Sequence, residues 1–475
     1  MTTISNEQKI YELSRIWKDA EYNFVFWDKV TIDWDEEYKK ALPRVLATRD
    51  TYEYYRELTR FLALLGDGHT GVTMPMEIMQ SSEYFSMLPV YLAHIGNDIV
   101  ALTIAEEYKE DIPLYSILKQ VDGVDISEYI RDKCYPYIWH GNEDACGNAA
   151  MIELMYGRAG SEANLLFEKD GKQYNVRLKR VDATGIKWYD PGFSVKIDTA
   201  REIVLDSESC KIEMTADGIA VIKITTFMDD SVPNRVYEKF LELSNAKGYI
   251  IDVRGNGGGN SSNANAVAAL FIDGKFESCA AETQVYEPTY KAWGMFRDDF
   301  KEITPDKLPE KDWDEGSIKS YKMCRHIYFQ SENDTVENRA PGLLKGPVAV
   351  LMNEYTVSAA EDFVDVMKQY TDAVFVGNNT AGTSGQPYCV ALESGGAYRI
   401  CTRHCIAQNG EDIYNKGFSP DIKVVASLSD LINRCDRAMD TAVEILKEIE
   451  NNGCRASPWN GDDNPGDCVP RNSFA

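Results

Sequence analysis

Two short apolar runs, each leading into a turn, constrain this chain more than any other feature. Tyr249-Ile250-Ile251-Asp252-Val253 runs into Arg254-Gly255-Asn256-Gly257-Gly258-Gly259-Asn260, and Val348-Ala349-Val350-Leu351-Met352 runs into Asn353-Glu354-Tyr355-Thr356-Val357-Ser358. Nearly unbroken apolar stretches of this length suit strands buried on both faces, as in a parallel sheet covered by helices. A helical pattern near 233 to 245 precedes the first run. One from about 358, with apolar positions at Ala360, Phe363, Val364 and Met367, follows the second. With further strands at Ile219 to Ile224 and Ala373-Val374-Phe375-Val376, residues 200–450 read as an α/β core.

At 475 residues the chain exceeds one ordinary core, and roughly 100 to 200 residues per domain predicts about three units. Residues 1–82 read as a helical domain: Ile10, Leu13 and Trp17 share one face, as do Tyr54, Leu58, Phe61, Leu62 and Leu65. It closes at Gly66-Asp67-Gly68-His69-Thr70-Gly71, where glycines break the helix and hold a histidine in a loop. Residues 84–182 carry short strand patterns instead, at Ile99-Val100-Ala101-Leu102, Ile117 to Ile126 and Tyr174-Asn175-Val176-Arg177-Leu178, with a turn at Lys169-Asp170-Gly171-Lys172. This β-rich stretch resembles a PDZ-like domain, which implies capture of an extended peptide by strand addition. A polar connection near 183–210 leads into the core. Residues 283–343 are polar and aromatic with few clear elements, and 451–475 reads as a loose tail.

Charge and composition exclude several function classes. With 76 acidic against 50 basic residues, the formal charge of −26 repels phosphate backbones, so nucleic acid is not an expected partner. No apolar run reaches about 18 residues and no basic-then-apolar leader opens the sequence, so the expectation is no membrane insertion and a cytoplasmic location. Eleven cysteines without paired spacing fit reduced thiols. Cys401-Thr402-Arg403-His404-Cys405 lacks a fourth ligand at the usual metal spacing and reads as strand, so neither metal nor cofactor is expected.

Three segments can carry chemistry. Ser358 stands where a buried strand turns into a helix, and unpaired N–H groups at a helix start favour a developing anion. The plainer alternative is a helix N-cap, the commonest task of serine there. The turn Gly255 to Gly259 exposes backbone N–H groups and admits a close substrate backbone, whereas Asn260 stands where a dinucleotide motif needs its third glycine. Its plainer alternative is a structural hairpin or helix entry. His69, one of five histidines, is surface decoration on its own and a general base if it partners a nucleophile.

Together and in this order, these segments resemble the tail-specific or C-terminal-processing serine peptidases, most like their tricorn-like branch, over nearly the whole chain. Leu64-Leu65-Gly66-Asp67-Gly68-His69-Thr70 resembles the family's "DGHT" loop, Ile251 to Gly259 its "DLRxNxGG" turn, and Thr356-Val357-Ser358-Ala359-Ala360-Glu361 its nucleophile segment. The resemblance implies a multidomain α/β protein with an N-terminal helical domain, a PDZ-like domain and a crotonase-like spiral core shared with the caseinolytic protease. It also implies Ser358 as nucleophile, His69 as base, and amides of Gly258 and Ala359 as oxyanion donors.

Two departures bear on mechanism. Thr383 occupies the place of the lysine in the "TxGKG" of the lysine-dependent branch, which gives weight to His69. Tyr414 occupies the place of the glutamate that usually precedes the final "GxxPD", and Gly68 replaces a serine before the histidine, so Glu411, Asp412 and Tyr414 remain alternatives for orienting His69. The expected activity is cofactor-free hydrolysis of polypeptides through an acyl-enzyme. Two rivals stand beside it: a degenerate relative that binds peptides or hydrophobic ligands, and acyl-CoA chemistry on a crotonase-like core.

Overall fold

The computed structural model describes residues 4–138, 141–189, 201–303, 313–323, 327–331 and 333–452. Residues 453–475 of the expected tail and 190–200 of the polar connection lie outside the described residues, while 451 and 452 close the helix Arg437–Asn452. The chain divides into two compact units, and the α/β, multidomain class read from the sequence is the one observed.

The first unit gathers Met1–Met76, Ala280–Asn333 and Gly385–Ile406. Its helices Asn6–Asn23, Trp34–Leu46 and Thr51–Ala63 start at Ser5, Asp33 and Asp50, whose side chains accept backbone N–H groups of the first turn. Tyr54, Leu58, Phe61, Leu62 and Leu65 are buried, as their spacing predicts. The face expected for the first helix is corrected: Ile10 is 41% exposed and Trp17 stacks on Tyr38 at its margin, while Leu13, Ile16 and Ala20 form the buried stripe with Glu12. A charged residue belongs there because its carboxylate is satisfied by the Tyr54 hydroxyl (2.8 Å) and by the Ser394 N–H and hydroxyl (2.8 and 2.7 Å).

Residues 283–343 hold more structure than their composition suggests. Strands Ala280–Val285 and Ile327–Ser331 pair with each other, helices Pro288–Gly294 and Glu315–Met323 fall between them, and Phe300, Trp313 and Tyr321 cluster through their rings. An aromatic cluster replaces the apolar periodicity that makes helices legible.

The second unit comprises Glu77–Cys279, Asp334–Ser384 and Ala407–Ala475. Its first part is an antiparallel sheet of Val90–Ile95, Asp98–Ile104, Ile117–Val121, Glu162–Lys169 and Lys172–Lys179, with the short Val124–Asp125 at its side. Asp170 and Gly171 both take positive φ, so the predicted turn is the tight hairpin that matches strand twist. Helix Glu143–Met155 packs Ala150, Met151 and Leu154 against Leu92, Leu118 and Phe167 of that sheet.

Its second part is a seven-stranded sheet: β1 (Glu202–Asp206), β2 (Cys210–Met214), β3 (Ile219–Ile224), β4 (Gly248–Asp252), β5 (Val348–Met352), β6 (Val374–Gly377) and β7 (Ile422–Lys423). Spatial order follows chain order, without the reversal of a doubly wound sheet. β1 to β3 pair antiparallel and β3 to β7 parallel. The unbroken apolar runs are explained by burial on both faces. Ile251, Val350 and Phe375 meet Phe363, Val364 and Met367 on one side, and Ile250, Ala349, Leu351 and Val376 meet Ala442, Ile445 and Leu446 on the other. The helix expected near 233–245 is two short ones, Val232–Glu238 and Phe240–Leu243, separated at Lys239.

Candidate active site

β4 and β5 are adjacent, with Ile251 opposite Val350, so their two turns leave the sheet side by side. Hydrogen bonds stitch them: Val357 N–H to Asn256 O (3.0 Å), Thr356 Oγ1 to Val253 O (2.9 Å) and Gly255 N–H to Asn353 Oδ1 (3.1 Å). Arg254 donates to both Asp252 and Asp436, which anchors the glycine turn from behind.

The half-buried Ser358 immediately precedes the helix Ala359–Tyr370, with φ 57° and ψ −124°. An ordinary cap such as Ser5 has φ −70° and ψ 158° and accepts from Gln8 N–H. Positive φ at a non-glycine costs on the order of 1–3 kcal/mol and persists only where surroundings enforce it. Ser358 is therefore presented on a sharp strand-to-helix elbow, the shape that exposes nucleophilic serines.

Gly258 fits against this elbow: a Cβ there would fall 2.6 Å from Val357 O, 2.7 Å from Ser358 Cβ and 3.1 Å from Ala359 N. The space a side chain would take at Gly258 is thus filled by the chain's own elbow. Gly258 turns its own N–H to Asn256 Oδ1 (2.9 Å), however, whereas among the described residues the N–H groups of Gly257 and Ala359 have no protein acceptor.

Beneath the elbow lies Glu361, fully buried. Its Oε1 accepts from Thr380 Oγ1 (2.6 Å) and Gly382 N–H (2.7 Å), and its Oε2 from Thr383 N–H (2.8 Å) and Ser358 N–H (3.2 Å). Burial pushes its pKa up to about 7 against the pull of these donors. Thr383, in the place of the other branch's lysine, therefore serves to hold a carboxylate.

His69 lies in the first unit and is 7% exposed. Its loop is pinned by Arg399 Nη2 on Gly68 O (2.9 Å), Cys401 N–H on Thr70 Oγ1 (3.0 Å) and its own N–H on Asp67 Oδ2 (3.1 Å). Burial first, then the Arg399 guanidinium, hold the imidazole down at about 4, so it is neutral and able to accept a proton at neutral pH. Asp67, also buried, is raised to about 6. A carboxylate oxygen of Asp67, a ring nitrogen of His69 and Cys401 Sγ lie within 4.8 Å of one another.

Of the other positions singled out from the sequence, Glu411 is exposed, while Asp412 and Tyr414 are half-buried and joined through Tyr414 N–H on Asp412 Oδ1 (3.1 Å); all three belong to the second unit. Cys401 and His404 sit in two strands, Ala397–Cys401 and His404–Ile406, with His404 Nδ1 3.3 Å from Glu282. Sequence reasoning missed the parts played by Glu361, Asp67 and Arg399. The first two stand inside quoted motifs, and a Ser followed three residues later by Glu is a readable local pairing.

Residues 218–424 match the model of peptidase family S41, a stretch that includes Gly258, Ser358 and Glu361 and leaves out His69. The chain is similar to carboxy-terminal processing protease CtpA of Bacillus subtilis (strain 168), 24% identical over 54% of this chain and 44% of that protein. It is also similar to the chloroplastic carboxyl-terminal-processing peptidase 3 of Arabidopsis thaliana, 23% identical over 87% of this chain and 69% of that one. The match to CtpA spans less than half of that relative's length. Among solved structures, mature CPAF superposes with a TM-score of 0.66 at 17% identity, covering 94% of this chain and 98% of the other, a likeness of fold.

Proposed function

We propose, from the match of residues 218–424 to peptidase family S41, that the chain is a serine endopeptidase of C-terminal-processing or tricorn-like kind. The observation that carries this reading is the elbow that displays Ser358 at positive φ beside a close-fitting glycine turn. Ser358 attacks the peptide carbonyl while neutral His69 takes its proton and returns it to the leaving amine. Water then resolves the acyl-enzyme by the reverse relay. The Ala359 N–H stabilises the oxyanion, joined by the glycine turn through the Gly257 amide, since Gly258 spends its own on Asn256. We read the antiparallel sheet between residues 90 and 179 as the PDZ-like module that holds an extended substrate, and the seven-stranded sheet as the crotonase-like core. The proposed compartment is the cytoplasm.

A second reading, a degenerate peptide-binding relative, draws on Tyr414 standing where the branch has a glutamate. Incubation of the purified protein with an unfolded polypeptide, with product termini read by mass spectrometry, separates the two. The endopeptidase reading predicts new termini with wild type and a loss of at least about 10²-fold in His69→Ala. Retained binding without cleavage by wild type would favour the second.

A further inference from the structure

The acyl-transfer steps leave one buried titratable group beneath the nucleophile unused. We propose that Glu361 is a positioning residue for the reaction: its carboxylate holds the Ser358 backbone in its elbow and ties that elbow to the 380–383 segment. The proposal rests on the reading of Ser358 as nucleophile.

The argument is one of acceptors. Both carboxylate oxygens are filled as acceptors, Oε1 by the Thr380 hydroxyl and Gly382 N–H, Oε2 by the Thr383 N–H and hydroxyl and by Ser358 N–H. Ser358 cannot rest at φ 57° without restraint, and the Glu361 bond falls on its own N–H. Protonation turns one oxygen into a donor that faces N–H groups and removes an acceptor from the set. The groups facing Glu361 from the 380–383 segment are uncharged. On its own helix, Asp362 accepts from the Ser261 and Ser384 hydroxyls and Asp365 from Gln408 N–H, so the neighbouring acids have partners of their own. Burial places the Glu361 titration near 7, well above the imidazole at about 4. The acid limb of Ser358 reactivity therefore belongs to Glu361, not to His69.

The test is the rate of fluorophosphonate labelling from about pH 4 to 9 in wild type, Glu361→Gln, Thr380→Val and Thr380→Ser, with thermal melts to confirm folding. Wild type should lose reactivity as pH falls through about 7. Glu361→Gln should label about 10²-fold more slowly at pH 8 and lose that limb, leaving the one near 4. Thr380→Val removes a donor that favours the ionised form and should move the limb upward by about one pH unit, while Thr380→Ser leaves it in place. A limb near 7 that survives Glu361→Gln overturns the proposal, as does a Thr380→Val limb that does not move; if the glutamine variant fails to fold, the threonine pair decides. Absence of labelling in wild type at every pH instead removes the nucleophile reading itself.

Discussion

The loop around His69 and the elbow around Ser358 use the same device with one difference. In each, a buried carboxylate close in sequence accepts a backbone N–H, Asp67 that of His69 at 3.1 Å and Glu361 that of Ser358 at 3.2 Å. Burial raises both acids, to about 6 and about 7. The difference is Arg399, a cation that lowers Asp67 and adds to the burial that holds the imidazole neutral, whereas the donors to Glu361 are all uncharged. A cation near His69 adds to the burial that suppresses its protonation, and an uncharged set of donors leaves Glu361 titrating near 7.

The comparison can be broken most severely behind the glycine turn. Arg254→Ala leaves the buried Asp252 without its guanidinium and is expected to cost about 3 kcal/mol in denaturant unfolding, while the His69 loop keeps its bonds. Gly258→Ala acts more locally, since a Cβ at φ 87° has no room against Val357 and Ser358. The expected loss is about 1–3 kcal/mol in thermal unfolding together with roughly tenfold or more in turnover.

A smaller effect sharpens the contrast through pH. Asp67, Glu361 and Asp365 have raised folded pKa values, so the stability each contributes is present below the ordinary carboxylate range and is lost as pH rises through about 6 to 7. His69 is lowered, so its contribution is present above its ordinary 6.5 and is lost as pH falls toward about 4. The melting temperature should accordingly fall between about pH 5.5 and pH 8, and Glu361→Gln should flatten that slope. The smallest effect is Arg399→Gln, for which an NMR titration should show the His69 ring proton moving up by less than about one pH unit.

What the sequence revealed of all this was local. Five-residue apolar runs marked β4 and β5 because both faces of those strands are covered, and the turn after each could be named from glycines and a serine. The Asp170-Gly171 hairpin was legible for the same reason, since its backbone demands are met by adjacent residues. The buried stripe of the first helix was misread because it contains Glu12, whose partner Ser394 comes from the far end of the chain. The roles of Glu361 and Asp67 were hidden likewise. Each acid was visible, but the Thr380, Gly382 and Thr383 donors and the Arg399 cation come from other segments, and only folding brings them to it.

The central claim is that Ser358 is the nucleophile. Its most direct test is fluorophosphonate labelling of folded protein followed by mass-spectrometric mapping, beside Ser358→Ala. The account predicts one adduct, on the peptide that carries Ser358, and none in the variant. An adduct on another residue, or none on folded wild type, would contradict it.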